Sequence, residues 1–224
     1  MKTKQLDIRH ADCMDLMREY PDNHFDLAVV DPPYGIGADK AQNVAAASRE
    51  KADGKSKAGR GWKQYKETDW DSSIPSAEYW IELRRVSKNQ IVWGGNYMTD
   101  HLAPSMGWIF WDKGQRNFSL ADGELAWTSF NRAMRVFDMS RGACLAEGER
   151  LHPTQKPVKL YDWIFAKYAE KGMEIIDTHL GSGSIAIAAH YAGMNLTACE
   201  LDADYYKAAC ERITRETAQT TLFD

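Results

Sequence analysis

Short apolar runs that stop at Gly, Pro or acidic residues alternate along this chain with amphipathic stretches, the pattern of strands and helices packed on one another. Gln5 to Arg9 predicts a short strand, and Asp12 to Tyr20 a helix with Leu16 and Met17 on its apolar side. Phe25 to Val30 (FDLAVV) predicts a buried strand, stopped by Pro32 and Pro33. Ser76 to Val86 predicts a helix with Ser76 at its N-cap, and Asn89 to Trp93 a second buried strand closed by Gly94 and Gly95. Gly107 to Trp111 and Gly123 to Phe130 predict strands, and Arg132 to Met139 is expected to pair with the latter as a hairpin around Asn131. Ser140 to Leu151 reads as irregular, and Pro157 to Lys171 as a helix. The C-terminal part is the most regular. Strand Glu174 to Asp177, glycine loop Leu180 to Ser184, helix Ser184 to Ala192, strand Asn195 to Glu200 and charged helix Asp202 to Thr217 form a βαβα unit, which implies a parallel sheet covered by helices. Gly35 to Asp71 lacks clear periodicity and reads as a long mobile loop.

Composition narrows this picture. The 224 residues allow one large domain or two small ones, and 44% hydrophobic residues suffice for a packed core. A formal net charge of −4 argues against a surface coated with nucleic acid but leaves local basic patches open. Cys13, Cys144, Cys199 and Cys210 form no CxxC pair and no His cluster accompanies them, so no metal site is expected. They read as reduced thiols of a cytoplasmic protein. No stretch approaches the ~18 apolar residues of a membrane span, and the polar N-terminus from Met1 to Asp7 does not read as a signal peptide.

Gly181-Ser182-Gly183-Ser184-Ile185-Ala186 fits G-x-G-x-x-A between a strand and a helix, where glycines let the backbone approach a ligand closely. Glu200 ends the next strand, at the right distance to accept hydrogen bonds from ribose hydroxyls. Dinucleotide enzymes share this pattern. Two details favour S-adenosylmethionine over NAD. Asp177, just before the loop, would repel a pyrophosphate but suit an ammonium, and no third glycine opens the helix. A tight turn without a ligand is the plain alternative, against which the joint occurrence of strand, loop, helix and terminal acid argues.

Asp31-Pro32-Pro33-Tyr34 follows directly after a predicted buried strand, and open α/β sheets place their chemistry at the carboxyl ends of strands. An exocyclic amine of a base is a poor nucleophile because its lone pair is delocalised. Two acceptors that bind its hydrogens favour a pyramidal nitrogen, and Asp31 with the Pro32 carbonyl can supply them. The prolines stiffen the backbone in advance of reaction. Tyr34 offers a ring to stack on a base taken out of the duplex. A rigid proline turn is the alternative.

With these residues in view, the chain resembles the DNA amino-methyltransferases of the N6-adenine/N4-cytosine family, in the beta-type order with the catalytic motif before the cofactor loop. The resemblance runs from about Asp12 to Tyr206. It implies that Asp31, Pro32, Pro33 and Tyr34 are catalytic, and that Asp177, Leu180, Gly181, Ser182, Gly183 and Ser184 form the cofactor loop, with Leu180 where the family usually has Phe. His152-Pro153-Thr154-Gln155-Lys156-Pro157 is similar to the segment that holds the cofactor's methionine end, so His152, Thr154, Gln155 and Lys156 become candidates, Lys156 as partner of the carboxylate. By the same resemblance Asp12 contacts the cofactor's adenine and Glu200 its ribose. The implied fold is α/β, a single-domain class I (Rossmann-like) S-adenosylmethionine-dependent methyltransferase with a mostly parallel sheet and an antiparallel hairpin edge. It would span 1–224, with a long DNA-contacting loop at about 35–71 and a short target-recognition segment at about 116–150. The implied reaction moves a methyl group to adenine N6 in double-stranded DNA after base flipping, leaving S-adenosylhomocysteine, without a metal. DPPY is commoner among the adenine enzymes; cytosine N4 is the alternative, and RNA or a protein glutamine is less favoured as substrate.

Between Lys40 and Lys66 lie eight basic residues opposed only by Glu50 and Asp53, with Trp62 and Tyr65 interleaved. Cations mixed with aromatics suit phosphate contact and base stacking, so Lys55, Lys57, Arg60, Trp62, Lys63 and Tyr65 are candidate DNA contacts; a solvated loop is the alternative. Arg116 is a weaker candidate, which a salt-bridged hairpin explains equally well. The resembled family often forms homodimers, though nothing here fixes an interface. No nuclease is visible, so a restriction endonuclease partner is left open.

Overall fold

The computed structural model describes residues 1–37, 71–116, 121–145, 151 and 154–218. The loop candidates Lys55, Lys57, Arg60, Trp62, Lys63 and Tyr65, and also His152, lie outside the described residues. The strands are β1 (Leu6–His10), β2 (Phe25–Val30), β3 (Ser87–Trp93), β4 (Trp108–Asp112), β5 (Gly123–Thr128), β6 (Arg135–Asp138), β7 (Glu174–Asp177) and β8 (Asn195–Glu200). The helices are α1 (Cys13–Arg18), α2 (Ala77–Val86), α3 (Arg141–Leu145), α4 (Val158–Tyr168), α5 (Ser184–Ala192) and α6 (Ala203–Thr217).

These strands form one sheet in the order β1-β8-β7-β2-β3-β5-β4-β6. Only β5 runs against the others, pairing antiparallel with both β3 and β4. Strand side chains alternate between the two faces of a sheet, and both faces are apolar. Leu27 and Val29 of β2 pack into the cluster that holds α4, α5 and α6, through Leu160, Ile164, Ile185 and Ile213. Ala28 and Val30 pack into the opposite cluster with Leu16 and Met17 of α1 and Trp80 and Leu83 of α2. The result is a three-layer α/β architecture, whose central parallel strands read as continuous apolar runs because helices cover both sides.

Helix starts follow local chemistry. Asp12 caps α1 by accepting the N–H of Met14 (2.7 Å), and Asp202 caps α6 by accepting those of Asp204 and Tyr205 (2.8 and 3.0 Å). Ser76 stands at the N-cap of α2 without a side-chain cap bond.

Two sequence expectations need correction. Arg132 to Met139 contributes β6, but β6 does not pair with β5: it lies parallel to β4, with Ile109 opposite Arg135. The reason is that both edges of β5 are already taken, so β6 continues the sheet beyond β4. The antiparallel hairpin is β4–β5, near one edge. The stretch from Ser140, read as irregular, contains the short α3.

Candidate active site

The order β8-β7-β2 brings the ends of three strands side by side, about 4.8 Å from one to the next. Glu200 ends β8, Asp177 ends β7 and Asp31 directly follows β2. After β7 the chain passes through α5 on one face to β8. After β2 it passes through α2 on the other face to β3. This divergence opens a crevice at the carboxyl ends, where open α/β sheets hold ligands. A cavity of about 490 Å³ lies there, within the range of small-molecule sites.

Asp12, Thr154, Gln155, Lys156, Leu180, Gly181, Ser182, Ser184 and Glu200 all line this cavity, together with Asp31 and Pro33. Residues far apart in sequence are thus gathered around one cavity. Glu200 accepts the N–H of Gly181 at Oε2 (2.9 Å) and that of Asp202 at Oε1 (3.0 Å), which fixes its carboxylate against the loop. Burial pushes its carboxyl above the ordinary range. Gln155 is oriented by accepting the N–H of Leu151 at 2.9 Å.

Asp177 and Gly183 behave differently from the sequence expectation. Asp177 does not line the cavity: its side chain is buried, its Oδ1 accepts the N–H of His179 (3.0 Å), and burial pushes its carboxyl up to about 8. Gly183 is left-handed (φ +78°), and a Cβ there would lie 2.9 Å from Ile213 of α6. It shapes the loop and lets α6 pack closely, but it does not face the cavity. Beneath the loop, the buried Arg212 donates from Nη1 to the Ser182 carbonyl (3.1 Å) and to Ser184 Oγ (2.9 Å).

The segment from Asp31 to Tyr34 is held from several sides. The buried Asp71 accepts the N–H groups of Tyr34 (2.6 Å) and Gly35 (2.9 Å), and its carbonyl accepts the N–H of Gly37. The Tyr34 hydroxyl donates to Asp31 Oδ1 at 2.7 Å. Its ring stacks with the half-exposed Tyr97 at 5.2 Å between centroids. Gly94 is left-handed (φ +68°), and a Cβ there would sit 2.2 Å from Tyr34 Cε1, so the ring occupies space that a glycine alone leaves free.

Lys156 lines the cavity, as the resemblance suggested, but its ammonium turns to Asp31. Its ammonium lies 2.5 Å from Asp31 Oδ2 and 3.4 Å from Glu124 Oε2, and donates to the Tyr34 hydroxyl at 3.2 Å. Lys113 pairs with the other oxygen of Glu124. Lys113, Glu124, Lys156 and Asp31 therefore alternate in sign along a neutral row. Burial pushes Asp31 upward, and the Lys156 charge opposes it. Burial acts to raise Glu124 as well, but the ammonium groups of Lys156 and Lys113 outweigh it, so Glu124 stays below its usual value. Sequence reasoning missed Lys113, Glu124, Asp71, Tyr97 and Arg212. The Gly94-Gly95 doublet after a strand was the one local signal pointing to this corner.

Arg116, a weaker DNA candidate, is bidentate on Asp112 (2.9 and 2.6 Å). Arg132 is turned onto the Lys167 carbonyl and the rings of Phe130 and Tyr168. The four cysteines are free thiols, and among the described residues no helix is long and apolar enough to cross a membrane.

A family model described as DNA methylase matches residues 92–211. The Escherichia coli (strain K12) protein named "Putative methylase YubD" is 24% identical over 225 residues, covering 91% of this chain and 88% of its own. Among solved structures, the M1.HpyAVI–SAM complex superposes with a TM-score of 0.58 at 15% identity, covering 93% of this chain and 98% of that one. PvuII DNA methyltransferase, described as cytosine-N4-specific, also gives 0.58, at 12% identity and covering 97% of this chain and 93% of that one.

Proposed function

Since the chain belongs to the DNA methylase family, we propose that it transfers the methyl group of S-adenosylmethionine to the exocyclic N6 of adenine in double-stranded DNA after base flipping. The observation that carries this reading is the position of Asp31: directly after β2, it lines the same cavity as the glycine loop fixed by Glu200.

The cavity's chemistry fits the cofactor. Asp12, Glu200 and Asp202 give it three carboxylates besides Asp31, and the lysine in its lining is already paired with Asp31. Such a wall disfavours a pyrophosphate but accepts hydroxyls and an ammonium. Glu200 would hold the ribose, Asp12 would lie near the adenine, and Thr154, Gln155 and the loop from Leu180 to Ser184 would hold the methionine end. When bound there, S-adenosylmethionine supplies an electrophilic methyl group on a sulfonium.

The remaining work falls to this chain's own residues. The target nitrogen must lose a proton as it gains a carbon, and Asp31 receives it. A carboxylate oxygen accepts two hydrogen bonds. Tyr34 fills one position on Oδ1 and Lys156 one on Oδ2, which leaves Asp31 able to accept from an amine. The Pro32 carbonyl is the second acceptor, and the stiffness of Pro32 and Pro33 removes reorganisation from the reacting step. The Tyr34 ring offers the stacking surface for the flipped base. We take the whole chain as one methyltransferase domain. Its 35–71 loop, rich in Lys, Arg, Trp and Tyr, contacts DNA, and the segment from about 116 to 150 contributes to target recognition. The Asp in first position of DPPY favours adenine.

The test is to incubate the protein with S-adenosylmethionine and mixed-sequence DNA and identify methylated nucleosides by mass spectrometry. N6-methyladenine is expected. N4-methylcytosine would overturn the base assignment, and an absence of any methylated base would overturn the reading.

A further inference from the structure

Lys156 is almost fully buried, with side-chain exposure of 2%, yet it carries a charge in a wall that also holds the reacting carboxylate. An ammonium has three N–H donors. In this structure they meet Asp31 Oδ2 (2.5 Å), Tyr34 Oη (3.2 Å) and Glu124 Oε2 (3.4 Å). Among the described residues these contacts match all three donors, which turns the ammonium to Asp31 and not to a ligand's carboxylate. Among the described residues, the groups that interact with Asp31 include Tyr34 in its own turn, Lys156 from the segment before α4, Glu124 from β5, Tyr161 from α4 and Asp177 from β7. Of these, Lys156 alone is positive. Glu124 is in turn held by Lys113, just after β4, so its second oxygen stays turned to the ammonium, and an ammonium that swung away would leave Asp31 without its cationic partner. Breaking such a pair from one side is costly.

We propose that Lys156 is the positioning residue of Asp31: its ammonium holds the carboxylate ionised and aimed at the target amine, and Glu124, clamped by Lys113, holds the ammonium in place. The inference rests on the methyl-transfer reading for its functional meaning. It moves Lys156 from holding the cofactor to holding the catalytic carboxylate, and it explains how that carboxylate stays charged enough to take a proton. The ionised form is the one required, because a protonated Asp31 has lost the acceptor strength that favours a pyramidal nitrogen.

The experiment compares wild type with Lys156→Met, Lys156→Gln and Lys156→Arg. The first readout needs neither cofactor nor DNA. The infrared carboxylate band that is present in wild type and absent from Asp31→Asn is titrated with pH. Its midpoint should rise by about 1–3 pH units in the two neutral variants and return most of the way in Lys156→Arg. The second readout is single-turnover methyl transfer to DNA across pH. Its acid limb should move upward with the infrared midpoint, and the rate at pH 7 should fall by at least about tenfold. Affinity for S-adenosylmethionine, by calorimetry, should stay within about twofold. Lys156→Gln keeps a donor without the charge, and it serves if Lys156→Met fails to fold. An unmoved infrared midpoint in the folded neutral variants overturns the proposal, as does a large loss of cofactor affinity with an unchanged acid limb. A wild type that methylates no DNA overturns the functional reading instead, and the infrared titration still decides the role of Lys156.

Discussion

Asp177 shows how a residue's surroundings set its chemistry. Its carboxyl is pushed up to about 8 by burial, from an ordinary 3.8. Between these values the folded chain keeps a proton there that the unfolded chain releases. The folded state therefore binds more protons, and stability falls as pH rises through that window. Asp177→Asn keeps an oxygen to accept the His179 N–H but cannot ionise. We expect its melting temperature to exceed that of wild type by several degrees at pH 8 and the gap to close towards pH 4. Glu200 is also raised by burial, but it is common to both proteins and drops out of the difference. Melting curves that stay parallel from pH 4 to pH 8 would contradict the assignment. The sequence located Asp177 at the strand end, but its identity alone does not say whether the side chain faces the cavity or the interior. The same limit applies to Lys156. The resemblance marked it as a ligand-side cation, and its partner, 125 positions earlier at Asp31, is brought to it only by folding.

At the scale of elements, local signals were legible and pairings were not. The glycine loop, the helix that follows it and the strand ending in Glu200 were read to within a residue, because Gly181, Gly183, Ser184 and Gly193 mark most of their limits in the sequence itself. The partner of β6 was misread because chain proximity suggested a hairpin, while β5 had already been enclosed by β3 and β4. The turn after β3 holds a signal that was read only as a strand end. Gly94 adopts φ +68° and passes beneath the Tyr34 ring, where a Cβ would lie 2.2 Å from Cε1. Gly94→Ala should cost about 1–3 kcal/mol from the left-handed backbone alone, and it should displace Tyr34 and with it the hydrogen bond to Asp31 Oδ1. Urea unfolding together with single-turnover methyl transfer would check this. A variant with wild-type stability and rate would mean that the close packing of Gly94 on Tyr34 is unimportant.

For the whole molecule, strand order turns a long sequence into a short-range site. Asp12, Asp31, Lys156, the loop at Gly181 and Glu200 span most of the chain, yet they line one cavity because β8, β7 and β2 are neighbours and the connections leave on opposite faces. The α/β class and this cluster were legible in the sequence because the motifs sit at strand ends. The row from Lys113 to Asp31 was not, since it joins β4, β5, β2 and the segment before α4 through side chains whose spacing carries no pattern. The central claim is that Asp31 acts on the reacting nitrogen. It is tested most directly by single-turnover methyl transfer with Asp31→Ala, set beside calorimetric affinities for S-adenosylmethionine and DNA. An interaction made mainly in the transition state lowers the rate and leaves ground-state binding nearly intact. The account predicts a fall in rate of at least about 100-fold with both affinities little changed; a near wild-type rate in the folded variant would contradict it.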